Sequence, residues 1–174
     1  MKLIIKPGDF FLSSSREWIS RMINAIQRFW SQDDISFYSH GGVIVNANGE
    51  TWEARSKGVD FYHLSDYAGK PVMIARHTDM DLSLFRMAFE KSRKRQGDPY
   101  PVHRLIFHIF PPFAKYWGLG MAVCSELVAE FLYFAEILEY WQGINPDELA
   151  EVFRNYKGFN IVFEGTLPEK GDIS

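Results

Sequence analysis

Ala122-Val123-Cys124-Ser125-Glu126-Leu127-Val128-Ala129-Glu130-Phe131-Leu132 is the stretch that decides how this chain is read. Cys124 is the only cysteine in 174 residues. A glycine-containing loop, Gly118-Leu119-Gly120, precedes it. Leu127, Val128, Phe131, Leu132, Ala135 and Leu138 fall at helical spacing and make one apolar stripe. The pattern puts Cys124 in the first turn of a helix, where backbone N–H groups lack intrahelical acceptors and the dipole favours negative charge. A thiol held there ionises more readily, and the thiolate is the nucleophile. A solitary cysteine is equally a small buried hydrophobe. A functional reading therefore needs a histidine and a third polar group elsewhere in the chain.

Phe37-Tyr38-Ser39-His40-Gly41-Gly42-Val43-Ile44-Val45 supplies the histidine. Val43 to Val45 are strand formers, and the two glycines leave the backbone beside His40 open to close approach. Asn46-Ala47-Asn48-Gly49 reads as a hairpin turn, with Glu50-Thr51-Trp52-Glu53-Ala54-Arg55 as the return strand. With Ala47-Asn48 or Asn48-Gly49 at the tip, Glu53 returns near the level of His40 on the same sheet. Taken singly, His40 is a satisfied strand histidine and Glu53 a surface carboxylate. Together they form a pair that orients an imidazole.

The remaining chain reads as alternating short strands and helices. Residues 3–5 and 9–12 are short strands around Lys6-Pro7-Gly8. Ser14 and Glu17 have capping-box spacing ahead of an amphipathic helix over residues 15–29, with Trp18, Ile19, Met22, Ile23 and Ile26 on one face. Residues 59–64 and 72–76 read as strands. Asp79 is the expected N-cap of a helix running to about Arg95. The basic run Lys91-Ser92-Arg93-Lys94-Arg95 reads as a solvated last turn that complements the dipole. Residues 102–110 are apolar, and Pro111-Pro112 breaks them. Asn145-Pro146-Asp147-Glu148 is a helix start with a cap, a first-turn proline and a capping-box glutamate. Residues 158–165 hold a last short strand.

Length suits one domain, residues 1–174, with a polar tail from about 168. A net charge of −3 supplies no field to draw nucleic acid. The aromatic content of 16% provides large apolar walls for a core or a groove. A single cysteine demands no oxidising compartment. No signal peptide and no run of transmembrane length is read, so the expected address is the cytoplasm, without stable membrane insertion.

In chain order the motifs are Pro7-Gly8-Asp9, Ser39-His40-Gly41-Gly42-Val43, Glu53-Ala54-Arg55 with Gly58-Val59, Gly97-Asp98-Pro99-Tyr100, and Val123-Cys124-Ser125-Glu126-Leu127-Val128. This series resembles the circularly permuted papain-fold hydrolases, the YiiX-like branch of the NlpC-like superfamily. Lecithin:retinol acyltransferase-type enzymes are more distant relatives. In that group an early strand carries the histidine, the next strand a third polar residue, and the cysteine opens a late helix. The resemblance covers residues 7–130. It implies an α+β, permuted papain-like fold with a small antiparallel sheet packed with helices. It implies Cys124 as nucleophile, His40 as base and Glu53 as orienting group. Tyr100 matches a tyrosine that lies near the oxyanion site in unpermuted relatives, although its distance along the chain from Cys124 is longer here. Ser125 joins it as a candidate oxyanion or substrate-binding residue, and also fits, with Glu126, simple service to the helix start.

The implied activity is hydrolysis of a peptide-like or cell-wall-type amide through a thioester, with no metal and no cofactor. Imidazole takes the thiol proton and later returns one to the leaving group, while a carboxylate fixes the ring. Acyl transfer or lipid-ester hydrolysis on the same fold is the first alternative, which makes the expected partner a peptide-like or lipid-like small substrate. A catalytically silent binding module is the second. A zinc site finds no support, since CxxC and HExxH are absent and His103 and His108 are offset wrongly for one helix face. His63, His77, His103 and His108 read as surface or packing residues.

Overall fold

The structure, a computed structural model, describes residues 3–14, 37–99 and 124–169. The helix expected over residues 15–29 and the apolar segment 102–110 lie outside the described residues. Six strands are described: β1 (Asp9–Ser13), β2 (His40–Ile44), β3 (Glu50–Arg55), β4 (Gly58–His63), β5 (Pro71–His77) and β6 (Phe159–Thr166). They form one sheet in the order β4-β3-β2-β1-β5-β6, with every neighbouring pair antiparallel. Three α-helices accompany it among the described residues: α1 (Leu82–Ser92), α2 (Cys124–Phe134) and α3 (Pro146–Asn155). The architecture is α+β, as expected. No helix among the described residues is long and apolar enough to cross a membrane.

Strand alternation divides the core in two. Phe10, Leu12, Val43, Trp52, Ala54, Met73 and Ala75 point to one face and pack with Leu127, Val128, Phe131 and Leu132 of α2, Phe85 of α1 and Phe153 of α3. Phe11, Ile44, Val72 and Ile74 point to the other face, where Leu3, Ile5, Leu64, Tyr67 and Leu167 cover them. β1 lies in mid-sheet and is buried along its whole length. That is why Phe10-Phe11-Leu12 is a continuous apolar run with no polar alternation.

The β2–β3 hairpin turns at Ala47-Asn48. Val45 donates to the Glu50 carbonyl at 2.8 Å and Gly49 to that of Asn46 at 3.2 Å. The Asn46 side-chain oxygen accepts from the N–H groups of Asn48 and Glu50, and Gly49 takes a φ of +89° that favours glycine. The pairs Val43–Trp52 and Ile44–Thr51 follow. Continued by one residue, this register sets Gly42 opposite Glu53.

Three expectations are corrected. The N-cap of α1 is Asp81, whose carboxylate accepts from Leu84 N–H at 2.7 Å. Asp79 instead belongs to the preceding turn, its N–H bonded to His77 Nδ1 at 3.3 Å. The basic run is not wholly solvated either. Arg95 folds onto α2, with Nη2 at 2.6 Å and Nε at 2.7 Å from the two carboxylate oxygens of Glu130. Finally, α2 stops at Phe134, before Leu138. Glu136 turns left-handed there at φ +58°, and the reversed chain carries Leu138 back against the core. The capping box of α3 forms as read: the Asn145 side chain accepts from Asp147 and Glu148 N–H, and Glu148 accepts from Asn145 N–H.

Candidate active site

His40 is the first residue of β2, and its side chain is 12% exposed. By alternation it points to the face of Phe11 and Tyr67, and both rings lie beside it. Glu53 lies on the same face, since Trp52 and Ala54 on either side of it point toward α2. His40 Nε2 stands 2.8 Å from Glu53 Oε2. Gly42 makes this diagonal approach feasible. A Cβ on Gly42 would fall 2.6 Å from Glu53 Cγ and 2.7 Å from Phe11 Cε1. The glycine pair thus clears a path for the carboxylate as well as for the backbone.

Cys124 arrives from the other side. It is the first residue of α2, buried, and part of the core on the helix-bearing face. Gly41 lets β1 lie close, because a Cβ there would meet Leu12 Cδ2 at 2.8 Å and the Phe11 carbonyl at 3.0 Å, while Val128 of α2 would stay at an ordinary 3.8 Å. The Cys124 sulfur lies 3.9 Å from the Ser39 carbonyl and close enough to the His40 ring for their charges to act on each other. Thiol and imidazole therefore come from opposite faces of the sheet and meet at the end of β2. Nε2 is engaged by Glu53, so Nδ1 is the ring nitrogen left for sulfur.

The electrostatics are cooperative. Burial pushes the Cys124 thiol up, but the charge and hydrogen bond of His40 outweigh it, helped by the N–H groups of Gly41 and Ser125, and hold it below the ordinary thiol range. Burial likewise pushes His40 down. The charge and hydrogen bond of Cys124, followed by those of Glu53, carry it up to about 10. Both directions favour a thiolate–imidazolium pair.

Glu53 is fully buried, and an isolated carboxylate there would cost several kcal/mol. It is offset by a ring of donors. Oε2 accepts from His40 Nε2, from Arg55 Nε at 2.8 Å and from the Tyr67 hydroxyl at 2.6 Å. Oε1 accepts from Arg55 Nη2 at 3.2 Å and from the Thr51 hydroxyl. Burial pushes Glu53 up, yet the His40 and Arg55 bonds and charges pull it down to about 2. Ionised at neutral pH, it can only accept, so the Nε2 proton belongs to His40. Arg55 also reaches Asp66 at 2.7 Å and lies over the Tyr62 ring, 4.0 Å from its centroid.

The side chains of the other described candidates make these contacts. The Ser125 hydroxyl is buried and donates to the Ile144 carbonyl at 2.7 Å. Glu126 accepts from Gly143 N–H at 2.8 Å. Both side chains tie α2 to the loop before α3, and only the Ser125 backbone N–H faces sulfur. Tyr100 lies outside the described residues. His63 caps a 3₁₀ turn by accepting from Ser65 N–H, and His77 packs on Phe159. Sequence reasoning missed Thr51, Arg55 and Tyr67. Thr51 and Arg55 were legible, since i±2 neighbours on a strand share a face with Glu53. Tyr67 carried no such signal, because it comes from the 3₁₀ turn Leu64–Tyr67 after β4.

Among the described residues, a six-stranded antiparallel sheet with helices on one face makes a YiiX-like fold. The solved structure on which that statement rests is that of the metalloprotein yiiX from Escherichia coli O157:H7. It matches over 96% of this chain and 90% of that one, with a TM-score of 0.52 and 19% identity. No family model and no curated protein matches the sequence.

Proposed function

We propose that this chain is a cysteine hydrolase on a permuted papain-like frame, cleaving a peptide-like or cell-wall-type amide. Cys124 is the nucleophile, His40 the general base and acid, and Glu53 the group that orients His40. One observation carries the reading: the His40 ring stands 2.8 Å from a fully buried carboxylate, and the only cysteine lies close enough for its charge and that of His40 to act on each other. A structural histidine needs one partner, whereas a triad needs this pair of partners.

The chemistry follows from the resting ion pair. The Cys124 thiolate attacks the carbonyl carbon, forming a C–S bond and a tetrahedral oxyanion. Backbone N–H groups of the first turn of α2 are the donors placed to receive that charge. Collapse breaks the C–N bond, and the imidazolium gives its proton to the departing amine. The neutral imidazole then takes a proton from water, and hydroxide adds to the thioester. Collapse of this second tetrahedral intermediate breaks the C–S bond and releases the acid, leaving the thiolate beside the imidazolium that holds the proton taken from water. Glu53 keeps Nε2 protonated throughout, so Nδ1 performs both transfers.

The solved neighbour is described as a metalloprotein, and a metal beside His40 in this chain would have to be held by the donors around Glu53. The donor set does not fit one. Both Glu53 oxygens already accept from N–H and O–H groups, and the Arg55 guanidinium stands 2.8 Å from one of them, where it would repel a cation. Among the described residues no group of three or more His, Cys, Asp or Glu side chains is disposed to hold a metal ion.

Alkylation of Cys124 by iodoacetamide tests the reading without a known substrate. The expected profile shows rapid labelling well below the pH of a free thiol, abolished by His40→Ala. Labelling only in the free-thiol range would sink the hydrolase and favour a binding module. A screen of amide against lipid-ester probes then separates amide cleavage from acyl transfer or lipid hydrolysis.

A further inference from the structure

Tyr67 grips both halves of the His40–Glu53 pair. Its hydroxyl donates to Glu53 Oε2 at 2.6 Å, the same oxygen that His40 Nε2 meets at 2.8 Å. Its ring stacks on the imidazole, with centroids 5.7 Å apart and planes inclined by 21°. The residue is buried and also packs against Phe11 at 5.1 Å, and Phe11 in turn lies 6.3 Å from the imidazole. With the Phe11 and Tyr67 rings both against it and the Tyr67 hydroxyl pinned to the carboxylate, the imidazole has little freedom to tilt. It also presents a π face to whatever positive charge His40 carries.

The geometry points to Tyr67 as a positioning residue that fixes the plane of the His40 ring, and so the aim of Nδ1 at the Cys124 sulfur. This rests on the hydrolase reading. The role of the hydroxyl is separable from bulk packing because Glu53 has donors to spare. Without Tyr67 it still accepts from His40, Arg55 and Thr51. Burial and the Glu53 charge hold the phenol above its ordinary range, so it stays a donor at every pH at which the protein works. A carboxylate has about four lone-pair sites, and five bonds converge on Glu53. Loss of one bond therefore leaves no buried acceptor bare, and Tyr67→Phe keeps the stacked ring.

The test is the pH profile of Cys124 alkylation in full-length protein, with thermal melting measured alongside. In Tyr67→Phe, low-pH labelling should fall about tenfold, the worth of one charge-assisted hydrogen bond, with a small change in melting. Tyr67→Leu, which removes stack and bond together, should fall further toward His40→Ala. Tyr67→Phe labelling within about twofold of the parent at low pH overturns the proposal, whatever the melting temperature does. A merely structural tyrosine would lower melting in both variants and leave the profile unmoved. If the parent protein itself labels only as a free thiol, it is the hydrolase reading that has failed. A parent with a low-pH limb that Tyr67→Phe preserves means that only the tyrosine assignment has failed.

Discussion

Two buried carboxylates in this molecule look alike but have different partners. Asp9 and Glu53 are both fully buried, and each takes two nitrogens of an arginine: Arg76 for Asp9, at 2.6 and 2.8 Å, and Arg55 for Glu53, at 2.8 and 3.2 Å. The remaining donor on Asp9 is the backbone N–H of Lys6 at 2.8 Å, which closes the Lys6-Pro7-Gly8-Asp9 turn. The remaining donors on Glu53 are side chains, and one is an imidazole with a thiol beyond it. A buried carboxylate–guanidinium fork is therefore no mark of a site. The mark is a third partner that can change its charge.

The bluntest break in the comparison is Cys124→Ala. It should lower turnover on any cleavable amide by at least about 10³-fold, with the fold retained by circular dichroism, and turnover that survives ends the nucleophile assignment. Paired variants sharpen the contrast. Glu53→Gln should cost about 10²-fold or more in turnover, while Asp9→Asn should leave turnover per folded molecule within about twofold. Both should destabilise by about 3 kcal/mol in denaturant titrations, because each breaks a buried carboxylate–guanidinium pair. Equal losses of turnover would erase the distinction drawn here. Glu53 adds a pH signature. Its folded value of about 2 lies below the ordinary 4.5, so its stabilisation is complete above pH 4.5 and is lost as pH falls toward 2. Acid unfolding of Glu53→Gln should be flatter across that window.

Gly42→Ala is subtler, since the new methyl would press on Glu53 Cγ and Phe11 from the middle of β2. A loss of about 1–3 kcal/mol and a weaker low-pH alkylation limb are expected. An unchanged limb would mean that the carboxylate does not depend on that gap. The smallest effect belongs to Ser125→Ala. Its hydroxyl bonds Ile144, so stability should fall by about 1 kcal/mol with turnover unchanged. A large turnover loss would return Ser125 to the site.

The sequence showed most where chemistry is local. Asn46 to Gly49 announced the hairpin, and the hairpin register carried Glu53 back to His40. Asn145 and Glu148 announced α3. The failures share a cause. Asp79 and Asp81 are both sound caps on composition, and only the path of the chain after β5 selects the second. Arg95 looked solvated because nothing nearby in sequence names Glu130, thirty-five residues on. Tyr67 was invisible for the same reason: its ring reaches His40 only once β4 has been laid beside β3. Cys124, His40 and Glu53 could be nominated from residue type and order, but the donors that hold Glu53 ionised needed three-dimensional neighbours.

The Cys124–His40 pair straddles the sheet, with sulfur rooted in one apolar body and imidazole in the other. Such a junction is only as rigid as the weaker of its two foundations. On warming, slippage between them should silence thiol reactivity some degrees before the secondary structure melts, so the chemistry acts as a fuse for the fold.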